Sequence, residues 1–366
     1  MGKFACIIHP LDINLFSTFE PGVINKRADL VKKIFEWSEP LIISEVTGLR
    51  SLTGKEEKGI LVLYNVLPEQ LISLNSKLLL KQITKAGKIA EEWGADIFGL
   101  AAYTAQVGKK GVLVAKNLNI PVTTGTSYTI VVVIESILKA ARAIGLNCSE
   151  ANLCVIGATG AIGRIVAQFL SEYIPNVTLV GRNRNKLDFL AGSLMDETNT
   201  KKIRISDDIK ASIQNADIIL TATNSPYALI DINDVKSGSL VCDVSLPKNV
   251  TQESANTRED ILVIDGGIVQ PPGRVDFNFY YGLPTSLCYA CMAETMLLAL
   301  EESYDLCSVG GDISFDKIKQ IGLIAKKHGF ELAEFRSFGK KIEQKHIEIV
   351  SEARAKRKKQ YSYIIE

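Results

Sequence analysis

The sequence predicts an α/β protein centred on a doubly wound parallel sheet, with an N-terminal α/β lobe and C-terminal helices, and three observations carry that reading. Short β-branched runs alternate with helical patterns between about Asn147 and Gly267, as parallel strands joined by crossover helices require. A glycine turn, Gly157 to Gly163, follows the first of these runs and opens a helical pattern. The 366 residues, at roughly 150 per domain, provide for two or three domains and a core that needs no disulfides.

The predicted strands of the central domain are Leu153 to Ile156, Val177 to Val180, Ile203 to Ile205, Asp217 to Thr221, Leu240 to Val244 and Ile261 to Ile264. Six strands suit a dinucleotide-binding sheet. The preceding lobe has its own strand signal at Gly59 to Tyr64 and a helical signal from Ser76 to Trp93. After the sheet, Pro284 marks a helix start running through Glu302, and two further helices are expected at about Ser314 to His328 and Gly339 to Lys359. These signals divide the chain into segments 1–146, 147–284 and 285–366.

Composition narrows the function. Lys plus Arg total 42 against 41 Asp plus Glu, a net charge of +1, which argues against a nucleic-acid partner. Apolar residues make up 46% and charged ones 23%, the proportions of an ordinary globular protein. Met1 to Leu11 lacks the apolar core and cleavage site of a signal peptide, and no apolar run approaches the roughly 20 residues of a membrane span. Seven cysteines without a framework spacing point to a reducing, cytoplasmic setting. Arg354, Lys356, Arg357, Lys358 and Lys359 form a basic cluster near the C-terminus; it reads as a solvated face, or as a surface for an acidic carrier protein or for peripheral contact with an anionic membrane.

The glycine turn is the clearest functional motif. Gly157, Ala158, Thr159, Gly160, Ala161, Ile162 and Gly163 stand between a strand and a helix, the Rossmann-type context in which glycines admit a pyrophosphate and the helix N-terminus offers it free N–H groups. NAD-binding domains place an acid after the second strand. Here that position reads Gly181-Arg182-Asn183-Arg184-Asn185-Lys186, without an acid. Arg182, Asn183 and Arg184 are therefore candidate contacts for a 2′-phosphate, and the expected cofactor is NADP(H); the alternative is that Arg184 and Lys186 only solvate the next helix. Thr221, Ala222 and Thr223 end the fourth predicted strand, at the edge where such folds receive ligand.

Other chemistries fit poorly. No Tyr is followed four residues later by Lys, so the short-chain dehydrogenase pair is absent, and three histidines, His9, His328 and His346, make a His-rich zinc site unexpected. Cys291 stands out in Tyr289-Ala290-Cys291-Met292-Ala293-Glu294, where residues alone allow either a core thiol or a nucleophile. Cys288 lies three residues before it; the pair reads as two unrelated helix cysteines or as a reversible oxidation switch.

Several blocks together resemble the long-chain acyl-[acyl-carrier-protein] reductases, fatty-aldehyde-forming enzymes also labelled predicted amino acid dehydrogenases. They are Gly99-Leu100-Ala101-Ala102-Tyr103-Thr104-Ala105, Thr123-Thr124-Gly125, Val155-Ile156-Gly157-Ala158-Thr159-Gly160, Pro247-Lys248-Asn249, Asp265-Gly266-Gly267-Ile268-Val269, Ala290-Cys291-Met292-Ala293-Glu294 and His328-Gly329-Phe330. The resemblance implies that Cys291 is the nucleophile, that Gly266 joins the cofactor contacts, and that NADPH reduces an acyl thioester, delivered by acyl carrier protein or coenzyme A, to a fatty aldehyde through an acyl-enzyme. An aldehyde-consuming enzyme is then an expected partner, and no metal is implied. The family reads Asn-Thr-His-Thr after its Thr-Thr-Gly, whereas this chain has Thr126-Ser127-Tyr128-Thr129, a phenol replacing an imidazole. The alternatives are a shikimate- or amino-acid-type NADP dehydrogenase without a covalent intermediate, and an inactive nucleotide-binding or carrier-docking protein. Glutamyl-tRNA reductase also uses a cysteine thioester, but its nucleophile lies in the N-terminal lobe.

Overall fold

The computed structural model describes residues 2–11, 22, 26–197, 202–311 and 313–365. In chain order it has β1 (Lys3–Ile8), α1 (Ala28–Glu36), β2 (Leu41–Arg50), β3 (Glu56–Leu63), α2 (Ser76–Trp93), β4 (Ile97–Leu100), β5 (Val122–Thr123) and α3 (Thr126–Ala143). Then come β6 (Asn152–Ile156), α4 (Ala161–Ser171), β7 (Asn176–Val180), α5 (Arg184–Glu197), β8 (Lys202–Ser206), β9 (Ile218–Thr221), β10 (Leu240–Asp243) and β11 (Leu262–Asp265). The chain continues through β12 (Ile268–Gln270), β13 (Gly273–Asp276), β14 (Cys288–Tyr289), α6 (Ala290–Glu301), α7 (Phe315–His328), β15 (Glu331–Leu332) and α8 (Gln344–Ile365). Two compact units form, residues 1–131 with 268–333 and residues 132–267 with 334–366. The segment 285–366 is thus divided between them.

In the first unit six strands run in the order β13-β2-β3-β1-β4-β5. The pairs among β3, β1, β4 and β5 are parallel, while β2 and β13 add an antiparallel edge. β1 is apolar on both faces, with Phe4 to Ile8 all buried, as a covered parallel strand must be. On one face Ala5, Ile7, Ile60, Val62, Phe98 and Leu100 cluster with Leu79, Ile83, Ala86 and Ala90 of α2. Asn75 caps α2 by accepting the Lys77 N–H at 2.8 Å, and Gly94 ends it at φ +87°. That helix has the bounds its sequence pattern predicts.

The helix expected from Pro284 instead begins at Ala290. Residues 288 and 289 pair antiparallel with β12, Ile268 opposite Tyr289 and Val269 opposite Cys288, so their backbone groups are committed to a ladder before helical bonding starts. Pro284 accepts the Leu287 N–H in a turn. Cys288 is accordingly a strand residue, and Cys291 falls in the first turn of α6.

The second unit is a sheet of six parallel strands, β8-β7-β6-β9-β10-β11. This is the doubly wound order with its switch point between β6 and β9, and the six predicted strands match it to within a residue or two. The last helix was expected at 339–359; α8 runs later because Arg336–Ser337 and Lys340–Lys341 first form a small hairpin. Among the described residues no helix is long and apolar enough to cross a membrane.

Much of the basic cluster is spent inside this unit. Asp217, nearly buried, receives Arg354 at 3.2 Å, Arg357 at 2.6 Å and Lys236 at 2.9 Å, and Lys358 meets Glu150 at 2.8 Å. Arg354 is itself only 4% exposed; Lys359 lies outside the described side chains. Burial pushes the Asp217 carboxyl up, but Lys236, the Asn152 N–H and Arg357 outweigh it and hold the group below the ordinary carboxylate range. Its contribution is therefore complete above its unfolded-state value near pH 4 and fades as pH falls through the lower folded value. Asp217→Asn, which strands Arg354 beside the sheet, is expected to cost roughly 3 kcal/mol or more of stability at pH 7, read by urea denaturation.

Candidate functional site

In the second unit the turn after β6 is built by exclusion of side chains. Gly157 has φ +83°, and a Cβ there meets the Ala222 carbonyl oxygen at 2.4 Å; one on Gly163 meets the Gly157 oxygen at 2.4 Å. The Gly157 and Ala158 N–H groups donate to Val180 O at 3.0 and 3.1 Å, so these residues shape the turn. Gly160 is the N-cap of α4 and offers no capping side chain. The N–H groups of Ala161, Ile162 and Gly163, in the first turn of that helix, have no helical carbonyl four residues back and suit a phosphate.

After β7, Arg182, Arg184 and Lys186 are exposed, and Asn183 accepts the Lys186 N–H at 3.0 Å, capping α5. Arg184 lies 3.7 Å from Asp188. At the ends of β9 and β10, Thr221, Thr223 and Ser245 all donate to Asn249 Oδ1, at 2.6, 2.7 and 3.0 Å. The side chains of Thr221 and Thr223 are therefore used internally, while the Ala222 carbonyl forms the wall against Gly157. Asn249 N–H donates to Asp243 at 2.6 Å, and Lys248 reaches Asp265 at 3.0 Å. Sequence reasoning gave no role to this polar floor, although Lys248 and Asn249 stood in a recognised block. Gly266 is packed: a Cβ there meets Val244 at 2.7 Å and Cys242 at 2.9 Å.

In the first unit several of the blocks that carry the resemblance converge on the first turn of α6. Gly99 lets that helix lie on β4, since a Cβ there meets the Thr295 hydroxyl at 2.0 Å, and Gly125, at φ +69°, sits where a Cβ meets Cys291 Cα at 2.2 Å. Glu294, fully buried, accepts the Thr123 hydroxyl at 2.5 Å and the Tyr128 N–H at 2.8 Å. Ser308 N–H donates to Thr123 at 3.0 Å, and the Ser127 and Ser308 hydroxyls are 2.7 Å apart. Burial raises the Glu294 carboxyl above its ordinary range against these donors. Tyr128 is a core residue, its ring edge-on to Phe330 at 6.4 Å. His328 is fixed between Ser51 and Glu301, at 2.7 Å each, and burial holds it below its ordinary range.

Cys291 itself is half-buried. Burial, with the nearby Glu294, pushes the thiol up to about 11, against the Ala102, Met292 and Cys291 backbone N–H groups near the sulfur, which favour the thiolate. The resting thiol is neutral at pH 7. Ala102 occupies the left-handed region at φ +48° without being glycine, a strained geometry that the Ala101–Thr104 turn holds: Thr104 Oγ1 donates to Ala101 O at 2.6 Å and accepts the Ala101 N–H at 3.0 Å. Backbone N–H groups near the sulfur favour charge that develops there.

The Shikimate / quinate 5-dehydrogenase family profile matches residues 139–265, about a third of the chain. The aminotransferase PigE of a Serratia species is 24% identical over 354 residues, covering 94% of this chain and 41% of that protein. The long-chain acyl-[acyl-carrier-protein] reductase of Synechococcus elongatus is 28% identical over 312 residues, covering 81% of this chain and 89% of that protein. A glutamyl-tRNA reductase of Flavobacterium psychrophilum is 32% identical over 124 residues, 32% of this chain and 28% of that protein. These similarities support a nucleotide-binding domain of the reductase and dehydrogenase kind in the second unit, and the chain spans less than half the length of the PigE protein it matches. Glu294→Gln puts an N–H2 where the Thr123 hydroxyl and Tyr128 N–H need acceptors, and is expected to cost about 1–3 kcal/mol in chemical denaturation.

Proposed function

We propose that this protein reduces an acyl thioester, carried by acyl carrier protein or coenzyme A, to an aldehyde through an acyl-enzyme on Cys291, with NADPH as reductant. The observation that carries the reading is the placement of Cys291: a thiol in the first turn of α6, met by the Ala102, Cys291 and Met292 N–H groups, on a helix fixed by Glu294. A purely structural thiol needs no such donors. Arg182 and Arg184, in a segment without the acid that NAD-binding domains place after the second strand, support the phosphorylated nucleotide, and the 28% identity to the Synechococcus reductase supports the thioester.

Cys291 gives up its proton as its sulfur attacks the carbonyl carbon; the carbon–sulfur bond to the carrier breaks, and the carrier sulfur leaves as a thiol with that proton. The three N–H groups stabilise charge on the Cys291 sulfur as it enters and as it departs. When bound, the reduced nucleotide supplies a hydride to the carbonyl carbon. The resulting thiohemiacetal then loses the Cys291 sulfur, which recovers a proton, and the aldehyde is released. The turn at Gly157 to Gly163 holds the pyrophosphate, and Arg182 and Arg184 the 2′-phosphate.

The test is intact-protein mass after incubation with palmitoyl carrier protein or palmitoyl coenzyme A and no nucleotide. The wild-type protein is expected to gain one palmitoyl group, Cys291→Ala none, and NADPH, far better than NADH, to discharge the adduct as aldehyde. No adduct with any chain length, or an adduct retained by Cys291→Ala, overturns the reading.

A further inference from the structure

His9 stands at the carboxyl end of β1, the edge of a parallel sheet at which α/β folds receive ligands. Its neighbours lead to Cys291. β1 pairs with β4 with Ile7 opposite Leu100, and the His9 ring lies edge-on to Tyr103 at 6.3 Å. Tyr103 directly follows Ala102, whose N–H meets the Cys291 sulfur. Thr295, one turn along α6 from Cys291, donates its hydroxyl to Cys291 O at 3.5 Å and lies beside Cys6 of β1.

The imidazole is only 7% exposed. Its Nδ1 is 2.9 Å from the Pro10 carbonyl oxygen, which can only accept, so Nδ1 carries the hydrogen and Nε2 is left with a bare lone pair. Nε2 is buried and, among the described residues, has no hydrogen-bond partner. Burial lowers the ring's pKa to about 4, so the group is a neutral acceptor throughout the physiological range. Two more polar atoms at this edge are buried without partners among the described residues, the Tyr64 hydroxyl and Asn65 Oδ1, just beyond β3; Tyr64 N–H donates to Ile8 O, joining the two strand ends. Buried acceptors left open in this way suit a ligand that brings donors.

Resting on the thioester reading above, we propose that His9 Nε2 accepts the amide N–H of the pantetheine arm that carries the acyl group. An acyl chain and a thioester offer no donor; the first donor beyond the sulfur is the arm's amide, two methylenes away. Acyl carrier protein and coenzyme A share that arm, so the contact recognises the class of donor and is indifferent to what lies beyond it.

The experiment compares palmitoyl-N-acetylcysteamine, which keeps the amide, with the S-butyl palmitoyl thioester, which lacks it, for wild-type protein, His9→Leu and His9→Gln at pH 7.5. His9→Leu is expected to lower kcat/KM about tenfold for the amide-bearing thioester, mainly through KM, and to leave the S-butyl thioester within about twofold. His9→Gln, which restores a carbonyl acceptor, is expected to recover most of the loss. Palmitoyl carrier protein and palmitoyl coenzyme A are expected to suffer equally; a loss confined to one of them overturns the shared-arm assignment. Equal losses for both small thioesters, or none, overturn it too, while acylation of wild-type Cys291 in the same samples shows the thioester reading intact. No acylation of the wild type by any donor removes both. Should His9→Leu fail to fold, the 15N shift of His9 Nε2 in Cys291→Ala protein decides: it must move with the amide-bearing thioester and stay still with the S-butyl one.

Discussion

The close approach of α6 to the ends of β4 and β5 is the constraint on which the first unit depends. Gly99 and Gly125 leave no room for a side chain against Thr295 and Cys291, and Glu294 replaces the missing hydration of the buried Thr123 hydroxyl and Tyr128 N–H. With the helix held there, its first turn brings Cys291 under the strained Ala102 N–H. Packing, polar satisfaction and chemistry thus share the same few residues. Burying Glu294 without donors would cost more than the helix contact returns, so the Thr-Thr-Gly and Cys-x-Ala-Glu segments are meaningful only as a pair.

The second unit is organised by buried charge beside an apolar sheet. Asp217 draws Lys236, Arg354 and Arg357 together at one end of β9. At the other end of the sheet Asp265 accepts Lys248 and the Phe338 and Gly339 N–H groups. Both clusters bind the 334–366 segment, which follows the first unit's last strand in sequence, to the nucleotide-binding sheet. The glycine turn after β6 needs neither; its shape follows from close backbone contact with Ala222.

The sequence made the second unit legible because its signals are local. Strands β6 to β11 are short apolar runs, the glycine turn stands between a strand and a helix, and α2 announces both its caps, Asn75 and Gly94. What escaped depends on pairing between distant residues. β14 forms because β12 lies beside it, so Pro284 read as a helix start, and Cys288 and Cys291 read as one helix. β1 and β2 went unnoticed although Phe4 to Ile8 is a continuous apolar run. The C-terminal basic cluster looked like free surface because its main partner, Asp217, is some 137 residues away from Arg354. Cys291 was found by resemblance; Glu294, Ala102 and His9 were in view, but nothing local distinguishes a buried carboxylate or an orphaned imidazole from its exposed counterpart.

The account's central physical claim is that Cys291 rests as a neutral thiol beside donors that act only once charge develops. The direct measurement is the rate of its alkylation by iodoacetamide as a function of pH, followed by intact mass with Cys291→Ala as the blank. A thiol held near 11 by burial predicts a rate that rises about tenfold per pH unit from 7 through 10 without levelling. A plateau below pH 8 would show a thiolate already formed at rest and contradict it.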